Sequence, residues 1–307
     1  MLCMLIRLSL FIQRHPDGFH LQLRFLWICR NYLTAISDDK RKFAVKDMKK
    51  NTILITNDDG IHSPGLELVR KSLESMGDVW VVAPQCSRST CSHSMSLHKP
   101  IMCRQIDSKS FAMDGTPSDC VFIALYDILP EEPAFVISGV NDGLNLGKDT
   151  FYSGTVAGAR EASFKGIPSA SISIDKGANP LSIMLVVRKV ALTLLNFRKR
   201  YGKMSLLLNV NIPGKNPKGV MITRLGPREY HDKVIKRKSP RNETYYWING
   251  GPRKVESGPG TDGYAISKGY VSVTPLLLDL TDLNLLYKVR KIKIFDELKK
   301  LSFGDSK

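Results

Sequence analysis

Short apolar runs alternate with segments of helical periodicity, and this alternation is the feature that most restricts the fold of the chain. From residue 51 onward, the apolar runs predict strands at 52–56, 79–84, 134–139, 168–174 and 205–212. The intervening segments predict helices at 63–77, 117–129, 153–166 and 180–197. Strands that alternate with helices form a largely parallel sheet covered by helices. The sequence therefore predicts an α/β fold with a mainly parallel sheet and flanking helices.

The first predicted helix shows the local signals most clearly. Ser63 and Pro64 fit the N-cap and the first helical position. Leu66, Val69 and Leu73 then recur at helical spacing. A helix with one apolar face is expected here, packed against the sheet.

The pattern changes after about residue 212. Residues 213–282 are rich in β-forming residues separated by charged or glycine-bearing loops, which predicts extended hairpins instead of further βα units. An exposed strand edge has to be paired or protected, so we expect these hairpins to serve subunit contacts. The predicted organisation is thus a metal- and phosphate-binding core at 51–212 and a β-rich oligomerisation region at 213–282.

The two ends of the chain are expected to lie outside the folded unit. Residues 1–50 predict a disordered or dispensable extension, with Met48 an alternative start, and residues 283–307 predict a basic tail. The apolar runs of the extension are short or broken by Arg24 and Arg30, so no transmembrane helix is predicted. A secretory signal is not predicted either, whereas an organelle transit peptide is a less favoured alternative.

The net charge of +16 raises the alternative of a basic protein that binds nucleic acid or another polyanion. Much of the positive charge lies in late clusters, which is typical of a solvated face. The six cysteines form neither a CxxC pair nor a zinc pattern. Reduced thiols in a cytoplasmic protein are therefore expected, with no membrane partner.

Two adjacent carboxylates, Asp58 and Asp59, directly follow the first predicted strand. Ligands of open α/β sheets bind at the carboxyl ends of strands, near the point where strand order reverses. A bound divalent cation is the simplest reason to keep both carboxylates ionised there. The alternative is structural, with Asp59 in a turn before Gly60 and Asp58 capping a helix.

Three other segments are expected at the same edge of the sheet. Ser89 and Asn141 offer neutral oxygen atoms beside the carboxylates, a donor set that suits Mg²⁺ or Mn²⁺ better than zinc. The segment Ser153, Gly154, Thr155 opens a helix, where unpaired N–H groups favour an anion such as phosphate, although a simple N-cap is the alternative. A cation beside an anion cradle predicts metal-assisted phosphoryl hydrolysis.

Other nucleotide chemistries lose support. The chain has no GxxxxGK[ST] motif and no GxGxxG after its first strand, which argues against an ATPase and against a dinucleotide cofactor. His62, His93 and His98 remain candidates for proton transfer or phosphate contact, although a lone loop histidine is more often structural.

Six segments between residues 51 and 281 form a pattern larger than any single motif. They read ILITNDDGIHSPG, VVAPQCSRST, DGTPSDCV, VISGVNDGLNLG, YSGTVAGAREA and, far downstream, YYWING followed by GTDGYAISKGYVSVTPLLLDL. In this order they resemble the survival protein SurE family of 5′/3′-nucleotidases.

The resemblance implies a Rossmann-like core and a phosphatase that uses one divalent cation per subunit, Mg²⁺ or Mn²⁺, to act on nucleoside monophosphates. It also implies homodimers or homotetramers built through C-terminal segments. Carried over by motif, the metal ligands are Asp58, Asp59, Ser89 and Asn141. The phosphate-binding residues are Asn145, Ser153, Gly154 and Thr155.

One departure from the family pattern lies beside a proposed ligand. Where many members read aspartate, arginine, asparagine, arginine, serine, glycine, residues 85–90 of this chain read QCSRST. Arg88 and Ser89 are retained, whereas Thr90 replaces the glycine. We expect the metal site to be kept and the mobility of this loop, or its base preference, to differ.

The leading hypothesis is a cytoplasmic 5′-nucleotidase that hydrolyses 5′- and 3′-monophosphates in a metal-dependent reaction. Hydrolysis of short-chain polyphosphate in the same pocket is a variant of it with another substrate. The hypothesis of a different class is a polyanion-binding protein with a vestigial metal site, which salt-dependent binding without turnover would reveal.

Overall fold

A computed structural model of the chain describes residues 51–253 and 257–289. The expectations for the extension at 1–50, including the alternative start at Met48, lie outside the described residues. So does the expectation for most of the basic tail.

The helices and strands follow one another as predicted for an α/β protein, with additional short elements late in the chain. In order they are β1 (Thr52–Thr56), α1 (Pro64–Leu73), β2 (Asp78–Pro84), β3 (Cys103–Asp107), β4 (Ser110–Met113), α2 (Pro117–Ile123) continued by a π-helical turn (Ala124–Ile128), β5 (Phe135–Asp142), α3 (Asp149–Tyr152), α4 (Gly154–Phe164), β6 (Ser169–Ile174), α5 (Pro180–Tyr201), β7 (Leu207–Ile212), β8 (Val220–Ile222), β9 (Glu229–Tyr230), β10 (Lys233–Lys238), β11 (Thr244–Asn249), β12 (Pro252–Arg253), α6 (Asp262–Ser267), β13 (Val271–Pro275) and α7 (Leu283–Val289).

A nine-stranded sheet with the order β3-β4-β2-β1-β5-β6-β7-β13-β8 forms the centre. Strands β4, β2, β1, β5, β6 and β7 run parallel, whereas β3 and β13 pair antiparallel with β4 and β7. The chain winds outward from β1 to β2 and β4, then returns to add β5, β6 and β7 on the other side. The strand order therefore reverses between β1 and β5, where α/β proteins bind their ligands.

The hydrophobic core has two halves, one on each face of the sheet. Strand β1 is buried throughout, and its Ile53 and Ile55 face the half that includes α1 and α5. Leu54 faces the other half, which α2 and α4 cover. This alternation follows from the two-residue period of a strand, and it explains why a strand buried on both faces reads as a continuous apolar run.

Helix α1 begins as its sequence predicts. The Ser63 hydroxyl accepts a hydrogen bond from the Leu66 N–H at 3.2 Å, and Pro64 occupies the first turn. Leu66, Val69 and Leu73 are buried. Within the part of the chain that the structure describes, α5 is the helix whose length and composition would suit a membrane span. Its apolar face, however, belongs to the core between α1 and the sheet.

Two late strands behave differently from the predicted hairpins. Strands β8 and β13 join the central sheet, and β13 is almost entirely buried between β7 and β8. Strands β10 and β11 do form a long hairpin, with a register from Lys233↔Asn249 to Lys238↔Thr244. The apolar residues of β13 are better satisfied inside the sheet than on a projecting ribbon. The sheet thus continues past residue 212, and the functional division proposed there stays a prediction.

Strands β3 and β4 were not expected from the sequence. All five residues of β3 are exposed, so no apolar alternation marks it. Pairing with β4 creates this edge strand.

Residues 277–289 belong to a separate compact unit, in which no residue of α7 is buried.

Candidate active site

The carboxylate turn at the end of β1 is shaped by the side chain of Asn57. Its amide group donates to the Gly60 carbonyl at 3.0 Å and to the Ser63 hydroxyl at 2.7 Å, and its oxygen accepts from the Gly60 N–H at 3.2 Å. Gly60 has a φ of +105°, a conformation that glycine adopts without steric cost. Asn57 therefore fixes the turn on which Asp58 and Asp59 are presented.

Asp58 joins this turn to the start of α4. Its carboxylate accepts a hydrogen bond from the Thr155 hydroxyl at 2.6 Å and another from the Thr155 N–H at 3.1 Å. The side chain is buried, with 4% of its surface exposed. Burial raises the pKa of the Asp58 carboxyl, the Thr155 hydroxyl lowers it, and the neighbouring Asp59 raises it further, with a net upward shift.

Gly154 allows Asp58 to come this close. A Cβ atom at Gly154 would lie 2.7 Å from the Cys91 Sγ and 3.0 Å from the Asp58 Oδ2. Any side chain there would collide with the carboxylate or the thiol. The same crowding, chiefly through burial and then through the Asp58 charge, raises the pKa of the Cys91 thiol to about 11, so Cys91 is a neutral neighbour of the turn.

Asp59 contacts the end of β5. The Asp142 N–H lies 3.4 Å from the Asp59 Oδ2, and the adjacent Asn141 donates from its side chain to the Gly143 carbonyl at 2.6 Å. Burial and the charge of Asp142 raise the pKa of the Asp59 carboxyl, against the effect of the backbone hydrogen bond. Asp142 was not among the predicted residues, although its place beside Asn141 put it at this edge.

Ser89 lies on the long connection between β2 and β3, residues 85–102, here named the Ser89 loop. The Arg88 N–H donates to the Asp58 carbonyl at 2.7 Å, so the backbone beside Ser89 is docked onto the carboxylate turn. The Ser89 side chain is exposed, with its hydroxyl 3.0 Å from that of Ser87. Arg88 is fixed in turn by donating to the Asp114 carbonyl.

Ser153 caps α4, as the structural reading of this segment predicts. Its hydroxyl accepts from the Val156 N–H at 3.1 Å, which leaves the hydroxyl proton free to be donated to a ligand. The Thr155 donors are both directed at Asp58. At the start of α4, Ser153 therefore caps the helix while Thr155 binds Asp58.

Asn145 is buried, and its side-chain amide donates to the Ser173 hydroxyl at 2.8 Å. Its backbone is held by two buried amides of β7: Asn209 and Asn211 both donate to the Asn145 carbonyl, and the Asn211 oxygen accepts from the Asn145 N–H. Asn209 and Asn211 were missed as site residues. The sequence signal that could have found them is their spacing: two asparagines two positions apart in an apolar strand place both amides on one face of the sheet.

A residue far along the chain also holds this edge. The Asp262 carboxylate accepts from the Gly147 N–H and from the Gly226 N–H, each at 2.8 Å. It thereby ties the glycine-rich loop after β5 to a segment beyond residue 212.

The predicted histidines do not converge on the carboxylate turn. His62 and His98 are exposed, whereas the His93 Nε2 lies 2.9 Å from the Glu161 Oε2 on α4.

We use the name rim for the surface that the other segments form together: the turn 57–60, residues 85–92, residues 141–147 and the start of α4 at 153–155. All eight predicted site residues lie on these segments, and hydrogen bonds join the turn 57–60 to Arg88, to Asp142 and to Thr155.

Comparison with known proteins relates the chain to one family. The family model described as "Survival protein SurE" matches residues 53–232. A protein of Sorangium cellulosum named 5′-nucleotidase SurE is 45% identical over 232 residues, which cover 74% of this chain and 90% of that protein. A protein of Syntrophotalea carbinolica with the same name is 40% identical over 231 residues, covering 75% and 92%.

Among solved structures, the SurE protein from Aquifex aeolicus matches with a TM-score of 0.68 and 40% sequence identity. The match covers 80% of this chain and 99% of that one. The resemblance and the α/β fold read from the sequence are thereby confirmed, and the chain belongs to the SurE family.

Proposed function

We propose that this protein is a divalent-metal-dependent 5′-nucleotidase that releases phosphate from nucleoside 5′- and 3′-monophosphates. The relatives named above carry the name 5′-nucleotidase at 45% and 40% identity. The observation that carries the proposal is the double hydrogen bond between the Asp58 carboxylate and Thr155, because it joins the proposed metal ligands to the start of α4.

The residues at the rim fit a hard cation. Asp58, Asp59, Ser89 and Asn141 offer carboxylate, hydroxyl and amide oxygens, the donors that Mg²⁺ and Mn²⁺ prefer. Burial raises the pKa of both Asp58 and Asp59, so the protein alone disfavours their ionised forms. A cation bound by these carboxylates would offset that penalty. In the part of the chain that the structure describes, no cluster of three or more His, Cys, Asp or Glu side chains suggests a different metal centre.

The chain's own residues supply the rest of the proposed site. The Ser153 hydroxyl and the Gly154 N–H at the start of α4 would donate to phosphoryl oxygens, and the absence of a side chain at Gly154 keeps this end close to Asp58. Both donors of Thr155 are directed at Asp58, so Thr155 would serve the phosphate site by holding that carboxylate. Asn145 would act from its buried position in the segment 141–147, where Asn209 and Asn211 fix its backbone. When bound, the divalent cation would polarise the phosphate and lower the pKa of an attacking water.

We also propose that the subunit self-associates through the β10–β11 hairpin. The hairpin exposes Trp247 and Ile248, with 62% and 92% of their surface accessible. Exposed apolar side chains on one ribbon are typical of an interaction surface. This assigns the oligomerisation role to one part of the region 213–282.

A cytoplasmic location belongs to the same proposal. Cys86, Cys91, Cys103 and Cys120 are free thiols, which suits a reducing compartment.

The proposal is tested by phosphate release from 5′-AMP, 3′-AMP and tripolyphosphate with purified protein. We expect release in Mg²⁺ or Mn²⁺, loss in EDTA and recovery when excess metal is returned. The ratio of the rates on 5′-AMP and 3′-AMP measures the preference for the 5′-phosphate, and the rate on tripolyphosphate measures polyphosphate hydrolysis. Salt-sensitive binding of single-stranded nucleic acid without phosphate release would favour the polyanion-binding alternative instead.

A further inference from the structure

The Ser89 loop contains two residues in an unfavourable backbone conformation. Thr90 has a φ of +56° and Ser92 a φ of +53°, both in the left-handed region. This region is uncommon for residues with a Cβ atom and is especially unfavourable for a β-branched one. Glycine is the residue that adopts this conformation freely. In this chain, contacts elsewhere must hold the loop in shape.

On one side of these residues the loop is held at the carboxylate turn, by the hydrogen bond from the Arg88 N–H to the Asp58 carbonyl. On the other side Ser92 contacts the end of α3: its N–H donates to the Tyr152 carbonyl at 3.0 Å and its hydroxyl to the Phe151 carbonyl at 2.6 Å. Beyond Ser92, the Thr116 hydroxyl donates to the Ser94 carbonyl at 2.7 Å and the Ser96 N–H donates to the Asp119 carboxylate at 2.9 Å, which ties the next part of the loop to the start of α2.

Between Ser92 and Ser94, His93 adds a contact with α4. Its Nε2 lies 2.9 Å from the Glu161 Oε2, and its ring stacks on Phe164 with 5.5 Å between ring centroids. Both partners lie on α4, the helix whose first turn contacts Asp58. The Glu161 side chain is 8% exposed and its other oxygen is 4.0 Å from the Lys165 Nζ. A largely buried carboxylate needs a partner, and here His93 is the nearest one.

We propose that His93 is a positioning residue for the reaction. Its contact with Glu161 clasps the Ser89 loop to α4, keeps Thr90 and Ser92 in the left-handed conformation and thereby holds Ser89 at the rim. The inference rests on the proposed function, in which Ser89 is a metal ligand. It assigns to His93 a role through another residue, without contact to substrate.

The test compares His93→Ala and His93→Gln with a control in the same loop, His98→Ala. His98 is exposed, so its loss should change nothing. Two quantities are measured: hydrogen exchange of the amides of residues 88–92, and the Mn²⁺ concentration that gives half-maximal phosphate release. For His93→Ala we expect the exchange rates and the half-maximal Mn²⁺ concentration each to rise about tenfold. An effect of this size is typical when a residue that orients a metal ligand is lost. His93→Gln, which keeps a donor for Glu161, should stay close to the unaltered protein.

The decisive variant is Thr90→Gly in the His93→Ala background. Glycine removes the conformational penalty that the clasp counteracts, so both quantities should return most of the way to their original values. Thermal unfolding of each variant verifies that the fold is intact.

The proposal is overturned if His93→Ala exchanges at the rate of His98→Ala, or if Thr90→Gly restores neither quantity. If the unaltered protein releases no phosphate with any metal, the proposed function fails. The exchange data then still decide whether His93 holds the loop.

Discussion

The rim and the β10–β11 hairpin differ in which side chains they bury and which they expose. At the rim, a charged group is buried and paired: Asp58 is 4% exposed and accepts hydrogen bonds from Thr155, 97 residues away in the chain. On the hairpin, apolar groups are exposed, and β10 and β11 pair only with each other. A change at the rim should therefore alter chemistry, whereas a change on the hairpin should alter association and leave the subunit folded.

The largest effect is expected from Asp58→Asn. The substitution removes a proposed ligand charge, so kcat for nucleoside monophosphates should fall at least about a thousandfold. The matched control is Asp127→Asn, since Asp127 is exposed on the π-helical turn after α2 and lies outside the rim. Steady-state phosphate release measures both. Full activity in Asp58→Asn would contradict the assignment of the site.

Gly154→Ala is expected to have the next largest effect. Its new methyl group would lie 3.0 Å from the Asp58 Oδ2 and 2.7 Å from the Cys91 Sγ, so the carboxylate must move. A displacement of that kind should lower kcat/KM about a hundredfold. Gly251→Ala, beyond the hairpin, is the control because nothing lies within 4 Å of the added atom. Equal activities of the two variants would show that close packing at α4 is unimportant.

On the hairpin, Trp247→Ala should weaken self-association at least about tenfold, as expected when an exposed aromatic residue anchors an interface. The subunit's far-ultraviolet circular dichroism spectrum should not change, since β10 and β11 form a two-stranded sheet separate from the central one. Leu181→Ala removes another exposed apolar side chain, 76% accessible at the start of α5, and serves as the control. Sedimentation velocity over a concentration series distinguishes them. If both variants associate like the unaltered protein, the interface lies elsewhere.

The smallest effect concerns the pH dependence of the metal-free protein. Because the folded-state pKa of Asp59 is raised, the folded state holds this proton more tightly than the unfolded state. The contribution of Asp59 to the free energy of unfolding is therefore fully present below its ordinary pKa of about 4. It is lost as the pH rises through the raised value. Asp59→Asn escapes this loss, so its unfolding temperature in EDTA at pH 7 should be about 2 °C higher.

The difference should vanish below pH 4, and added Mn²⁺ should stabilise the unaltered protein more than the variant. Scanning calorimetry at both pH values decides the point. A variant that is less stable than the unaltered protein at pH 7 in EDTA would contradict the burial of this charge.

Local sequence signals predicted the strands correctly where burial on both faces of the sheet requires a continuous apolar run. The strands of the parallel sheet and the cap of α1 at Ser63 follow from apolar runs and capping chemistry, which depend on neighbours in sequence. The convergence of Asp58, Asn141 and Thr155 was also predictable, because the carboxyl ends of parallel strands meet at one edge of the sheet. The edge strand β3 and the insertion of β13 beside β7 were not, because pairing partners distant in sequence decide them.

The sequence by itself determined the α/β order of elements, the oxygen-rich set of candidate ligands and the family. Only the tertiary structure decided that Asp58 takes both donors of Thr155, that Asn209 and Asn211 hold Asn145, and that His93 faces Glu161 and not the carboxylate turn. The physical reason is that periodicity and capping act over a few residues, whereas hydrogen bonds between buried polar groups depend on which distant segments the packed core brings together.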